Sequence, residues 1–180
     1  MKKSIIVILS TVIFTILSTS FFSCEDEGRK VDKEWKSNNI DAYVQITKNP
    51  NYTEVRGLAD GYPRGIYKRV IKSGTGNVHP FQTAKVNVIY KGYFHDGTVF
   101  DIGNSKTEVS LSFMVNEVVR GFSTALQAMV VGDKWEVVIP YHLGYGPVDE
   151  IDSSSGALIM KAYTTLFFEV ELLGIDQYPE

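Results

Sequence analysis

The chain has 180 residues, 44% of them hydrophobic and 22% charged, with a net charge of −3. That length holds one domain plus a targeting segment and a linker, and the near-balanced charge argues against a nucleic-acid partner. A single cysteine, Cys24, excludes an intrachain disulfide framework and a thiolate zinc cluster. His79, His95 and His142 are scattered without metal-ligand spacing, so neither a metal nor a cofactor is expected.

Lys2-Lys3 precedes an apolar run from Ser4 to Phe22 with interspersed Ser and Thr, the pattern of a secretory signal over residues 1–23. Phe21-Phe22-Ser23-Cys24 resembles a bacterial lipoprotein cleavage box, in which the cysteine becomes the first mature residue and carries the lipid. An ordinary signal peptide and an uncleaved anchor are the competing readings, since the run is almost long enough to span a bilayer. The lipoprotein reading places the protein in the bacterial cell envelope. It would be lipid-anchored there, on the periplasmic side of the outer membrane or on the cell surface. Glu25-Asp26-Glu27 reads equally as a surface-export signal or as the solvated start of a tether.

Residues 24–64 read as tether and helical extension. Val31 to Lys48 is moderately helical, with Trp35, Tyr43 and Ile46 able to share a face and Ile40 nearby. Asn49-Pro50-Asn51 ends it. This helix either packs on the downstream domain or spaces that domain from the membrane. A loop from Leu58 to Pro63 leads to the domain itself, over residues 65–176.

Ile66 to Lys72 is the first predicted strand, and Gly74-Thr75-Gly76 a turn. Val86, Val88 and Tyr90 alternate with Asn87, Ile89 and Lys91, as a half-buried strand does. Asp96-Gly97 marks a hairpin turn, because glycine accepts positive φ freely. Val109, Leu111 and Phe113 alternate with Ser110 and Ser112. Phe122, Ala125, Leu126 and Met129 recur at helical spacing, with Gly132 expected to stop that helix. Trp135, Val137 and Ile139, then Leu166, Phe168, Val170 and Leu172, form the last strands. Antiparallel strands with a helix packed on one face make an α+β domain.

Three segments stand out by their order: Val86–Gly92 followed by Asp96–Asp101, then Asn116–Phe122, then Ile139–Gly146. With the last strand they resemble, over about residues 65 to 175, the core of an FKBP-type peptidyl-prolyl isomerase. The resemblance implies a curved antiparallel half-barrel wrapped around one short helix. It also implies an aromatic pocket. Phe122 would be the floor, Tyr90, Phe100 and Phe168 the walls, and Tyr145 would donate its hydroxyl to a substrate carbonyl. Asp101 would stay ionised at the rim and hold an arginine or a tyrosine hydroxyl of the domain. Val118 and Val119 would present a backbone N–H and an apolar side chain to the substrate. Val109 and Phe113 come from the strand before the helix, and Ile159 and Met160 would form an apolar flap.

Such a pocket suits its task. An X-Pro bond rotates slowly because rotation breaks amide resonance, at a barrier of roughly 18–20 kcal/mol. A catalyst therefore needs no nucleophile, only a dry slot and donors that prefer the twisted amide. An acceleration of about 10⁴ needs about 5.5 kcal/mol of selective stabilisation. The resemblance implies proline-containing polypeptides of the envelope as substrates, and a macrolide as a second ligand of the pocket. Some features depart from the family pattern. Val109 stands where an aromatic is common, and Lys161-Ala162 replaces a proline pair. Pro147 to Gly156 is longer and more acidic than usual, able to cover the pocket or to select basic substrates. The alternatives are a non-catalytic proline-binding module and a lipoprotein with a vestigial pocket. An envelope chaperone is a further option, though no apolar insertion lies between Phe113 and Leu173.

Overall fold

A computed structural model describes residues 31–57, 65–102 and 110–177 of the chain. The signal segment, Cys24, Glu25-Asp26-Glu27, the loop Leu58–Pro63 and Val109 lie outside the described residues.

Period-two patterning sorts the strands into two faces. Nine strands are present among the described residues: β1 (Thr53–Val55), β2 (Ile66–Lys72), β3 (Lys85–Tyr93), β4 (Val99–Asp101), β5 (Leu111–Met114), β6 (Lys134–Ile139), β7 (Glu150–Ile151), β8 (Leu158–Met160) and β9 (Leu166–Gln177). Seven form one antiparallel sheet in the order β1-β2-β6-β9-β3-β4, with β5 also paired to β3. The longest ladder joins β3 to β9, setting Val88 opposite Leu172, Tyr90 opposite Val170 and Gly92 opposite Phe168. On β6, Trp135 faces Val170, Val137 faces Phe168 and Ile139 faces Leu166. The apolar side chains among these share the concave face and form one core, with Tyr90 partly buried at its edge, together with Phe122, Ala125 and Leu126 of helix α2 (Arg120–Ala128).

Helix α2 is nine residues long, and Gly121 through Leu126 are all buried. Gly121 allows its close approach to the sheet, since a Cβ there would lie 2.3 Å from Ile139 Cγ2. The helix ends earlier than expected. Met129 is already extended at φ −85°, ψ 157°, and Gly132 (φ +93°) serves the following turn, where Asp133 N donates to Val130 O at 3.0 Å. Gly132 therefore belongs to the turn before β6 and does not terminate the helix.

The opposite residues of the same strands make a second, smaller core. Val138 and Phe167 are buried there beneath Tyr43 of helix α1 (Lys33–Thr47), with Tyr67 and Tyr93 packed alongside. Asp32 caps α1 by accepting from Trp35 N at 3.0 Å, and Asn49-Pro50 follows its last turn, where the residue before proline resists the helical region. Of the two readings for this segment, packing is the one observed: from Val31 onward the chain clusters as one compact unit. Its anchors are polar. Asn39 is fully buried. Its Oδ1 accepts from Thr165 N at 2.9 Å, and its backbone carbonyl accepts from Thr165 Oγ1 at 2.8 Å. Tyr43 Oη donates to Gly65 O at 2.7 Å.

Candidate active site

At the open end of the concave face, β3, β4, β9 and α2 bring four of the six expected aromatic and polar residues ring to ring. Phe122 and Phe168 have centroids 4.7 Å apart, Tyr90 lies 5.7 Å from Phe122 and 6.0 Å from Phe168, and Phe100 meets Phe168 edge-on at 5.6 Å. These are the edge-to-face and tilted geometries that aromatic quadrupoles favour. Phe113 of β5 packs against Phe122 at 6.3 Å and Tyr90 at 6.4 Å. Gly92 makes the packing possible, because a Cβ at that position would lie 2.7 Å from Phe100 Cζ and 2.9 Å from Phe168 Cε1. Sequence reading singled out neither Gly92 nor Phe94, whose ring stacks on Phe100 at 4.8 Å. The signal for Gly92 was its place opposite Phe168, which only the strand register reveals.

Polar groups edge this cluster. Tyr90 Oη donates to the exposed Asp101 carboxylate at 2.7 Å. Burial, and then that carboxylate, push the Tyr90 hydroxyl well above its ordinary range, so it stays protonated and keeps donating. Tyr145 is half-buried and packs against the same core. Burial raises its hydroxyl too, with Asp101 and Glu150 adding to the shift. That hydroxyl is protonated and makes no hydrogen bond to another described residue. Val118 and Val119 are extended between a single 3-10 turn (Val115–Glu117) and α2, and Val119 O accepts from Phe122 N at 2.9 Å and Ser123 N at 3.0 Å.

The flap residues divide. Leu158–Met160 pairs with Glu150–Ile151 as a separate hairpin. Met160 is buried in the main core, whereas Ile159 is 52% exposed. Neighbouring residues of a strand point to opposite faces, and the two side chains differ in burial accordingly. The acidic loop is largely occupied with itself. Asp152 accepts from the N–H and hydroxyl groups of Ser154 and Ser155, which hold its carboxyl far below the usual range. Asp149 accepts from Ala162 N at 2.8 Å. Glu150 is exposed. A cavity of about 580 Å³ lies elsewhere, between β1 and α2; Val55, Arg56, Gln82, Arg120 and Gln127 line it, and Val118 is its link to the aromatic cluster.

Antiparallel strands curved around a short helix, with an aromatic cluster edged by a tyrosine–aspartate pair, define an α+β half-barrel class of protein. The family model for FKBP-type peptidyl-prolyl cis-trans isomerases matches residues 76–173, and the chain belongs to that family. It is 44% identical over 111 residues to the FKBP-type 22 kDa peptidyl-prolyl cis-trans isomerase of Escherichia coli, covering 62% of this chain and 50% of that protein. It is 31% identical over 177 residues to the macrophage infectivity potentiator of Trypanosoma cruzi, covering 92% of this chain and 83% of that one. A crystal structure of a peptidyl-prolyl cis-trans isomerase from Pseudomonas syringae superposes with a TM-score of 0.63 at 28% identity, over 83% of this chain and 100% of the other. The chain thus spans about half the length of the Escherichia coli relative.

Proposed function

We propose that the chain is a peptidyl-prolyl cis-trans isomerase acting on proline-containing polypeptides of the bacterial envelope. The observation that carries this is the cluster of Tyr90, Phe100, Phe122 and Phe168 with the half-buried Tyr145 packed on the same core. The proline ring enters the slot over Phe122, where apolar walls strip water from the amide. Loss of water favours the twisted state, whose carbonyl carries less charge than the planar amide. Tyr145 donates to a substrate carbonyl and holds the chain in register. Asp101 fixes the Tyr90 ring through its hydroxyl, so the slot is formed before substrate arrives. Val118, Val119, Phe113 and Ile159 extend the contact to neighbouring residues. No proton or electron pair moves, so neither metal nor cofactor has a part in this step. The same slot would take the proline-like ring of a macrolide.

The test is prolyl exchange on a short Xaa-Pro-Phe peptide with the full chain, beside Tyr145→Phe and Asp101→Ala. Acceleration that falls in both variants supports the isomerase. A folded protein that binds the peptide without accelerating exchange is a proline-binding module instead.

The envelope location rests on Lys2-Lys3, the apolar run and Ser23-Cys24. Lipid on Cys24 would tether residues 31 onward to a membrane without spanning it. Cys24→Ser should abolish fatty-acid labelling in cells; labelling that persisted would remove the lipoprotein reading.

A further inference from the structure

Two walls of the slot are weakly held by their own elements. Phe100 sits on β4, three residues paired to β3 across a register shift. Tyr145 sits in the turn after a single 3-10 turn (Tyr141–Leu143). Neither element is long enough to hold an aromatic side chain alone.

Helix α1 reaches both. The Trp35 ring meets Phe94 edge-on at 5.3 Å and 84°, and Phe94 stacks on Phe100 at 4.8 Å. On its other side Trp35 Nε1 donates to Thr164 Oγ1 at 2.9 Å, which donates in turn to Lys161 O at 2.7 Å. Lys161 Nζ pairs with Asp32 at 3.0 Å and lies 4.9 Å from the Trp35 ring centroid. Lys36 Nζ stands 3.9 Å over the ring of Tyr163, a bulky residue at φ +61°. Tyr163 N donates to Gly146 O at 3.0 Å, directly after Tyr145, and its ring packs on Tyr141 at 4.8 Å. The first turn of α1 therefore clamps the segment joining the hairpin to β9, and that segment holds Tyr145. Through Phe94 the same turn backs Phe100.

We propose that Trp35 is a positioning residue for the isomerase slot, and that α1 is part of the working site, not a spacer. This rests on the isomerase reading above. Trp35 touches no substrate; it sets where Phe100 and Tyr145 stand. Small displacements of positioning groups cost rate steeply.

The experiment uses the full chain with Trp35→Ala and Trp35→Phe, at a temperature where melting curves show every variant folded. It reads kcat and KM for peptide exchange and, by NMR with labelled phenylalanine, the Phe100 ring signals. Expected are a fall in kcat/KM of about tenfold for Trp35→Ala, shifted Phe100 signals, and recovery of most of the rate in Trp35→Phe, whose ring still meets Phe94. A folded Trp35→Ala protein with wild-type kcat/KM and unmoved Phe100 signals overturns the proposal. So does a Trp35→Phe protein as slow as Trp35→Ala. If the wild-type chain itself does not accelerate exchange, the isomerase reading fails, and the Phe100 signals alone decide whether Trp35 places that ring.

Discussion

The two helices hold to the same sheet in opposite ways. Helix α2 buries six consecutive residues out of nine, and Phe122, Ala125 and Leu126 among them join the core on the concave face. Its attachment is apolar area, at roughly 25 cal/mol per Å² removed from water. Helix α1 is longer, fifteen residues, yet buries only Asn39 and Tyr43. It is attached by a fully buried amide, a tyrosine hydroxyl on Gly65 O and ring contacts at its first turn. Apolar attachment is cumulative and tolerant of small losses; polar attachment is concentrated in a few bonds whose loss leaves a buried group unpaired. Both attachments lead to the aromatic cluster: α2 brings Phe122 into it, and Trp35 of α1 reaches it through Phe94.

The largest break of this contrast is on the concave face. Phe168→Ala removes a ring that touches Phe100, Phe122 and Tyr90. It should cost about 3–5 kcal/mol in urea unfolding and abolish peptide exchange. A variant of near wild-type stability and rate would show that the cluster is neither core nor slot. On the convex face, Asn39→Ala leaves Thr165 N without its acceptor inside the protein and should cost about 1–3 kcal/mol by the same unfolding measurement. A loss below ~0.5 kcal/mol would mean that α1 is held by its apolar contacts, and the contrast between the helices would fall.

A pH experiment sharpens it further. Glu136, on the α1 side of the sheet, accepts from Tyr93 Oη at 2.6 Å, Tyr52 Oη at 2.9 Å and Arg69 Nε at 2.7 Å. Burial alone would raise its carboxyl, but the hydrogen bonds from Tyr93, Arg69 and Tyr52 outweigh burial and hold it below the usual carboxylate range. A depressed folded-state pKa stabilises above the unfolded value of about 4.3 and is lost as pH falls through the folded value. Urea midpoints between about pH 7 and about pH 3 should therefore drop on the acid side, and Glu136→Gln should flatten part of that drop. An acid limb unchanged by Glu136→Gln would assign the loss to other carboxylates.

The same contrast explains what was legible in the sequence. Val86-Val88-Tyr90 and Trp135-Val137-Ile139 announce their strands because one face of each meets an apolar core. Phe122, Ala125 and Leu126 announce α2 for the same reason. Helix α1 could be seen but its docking could not, because a buried Asn39 looks like any surface asparagine until Thr165 is brought beside it. The end of α2 was misplaced at Gly132, since the turn that needs positive φ comes after the helix has already extended at Met129. Hydrophobicity alone does not give the phase of a three-residue strand, so the burial of Met160 and the exposure of Ile159 are visible only in the structure. Gly92 and Phe94 carry no signal in the sequence, since their part is to pack around Phe100 and Phe168. Phe122, Phe168, Tyr90 and Asp101, which the structure brings together, are residues whose type and order carry the resemblance to the family.

The smallest expected effect is the most specific. Tyr145→Phe removes a hydroxyl that makes no hydrogen bond to another described residue, so folding should change by less than ~0.5 kcal/mol. The hydroxyl is kept protonated by burial and by the nearby Asp101 and Glu150, so its donation to substrate should not vary across neutral pH. Losing one neutral donor to a substrate carbonyl should lower kcat/KM by less than about tenfold, under ~1.4 kcal/mol of barrier. Stability and rate would then separate at this position, whereas at Phe168 they fall together. If Tyr145→Phe destabilised the fold as much as it slowed exchange, Tyr145 would belong to the core, and the donor edging the slot would have to be sought in the backbone at Val118 and Val119.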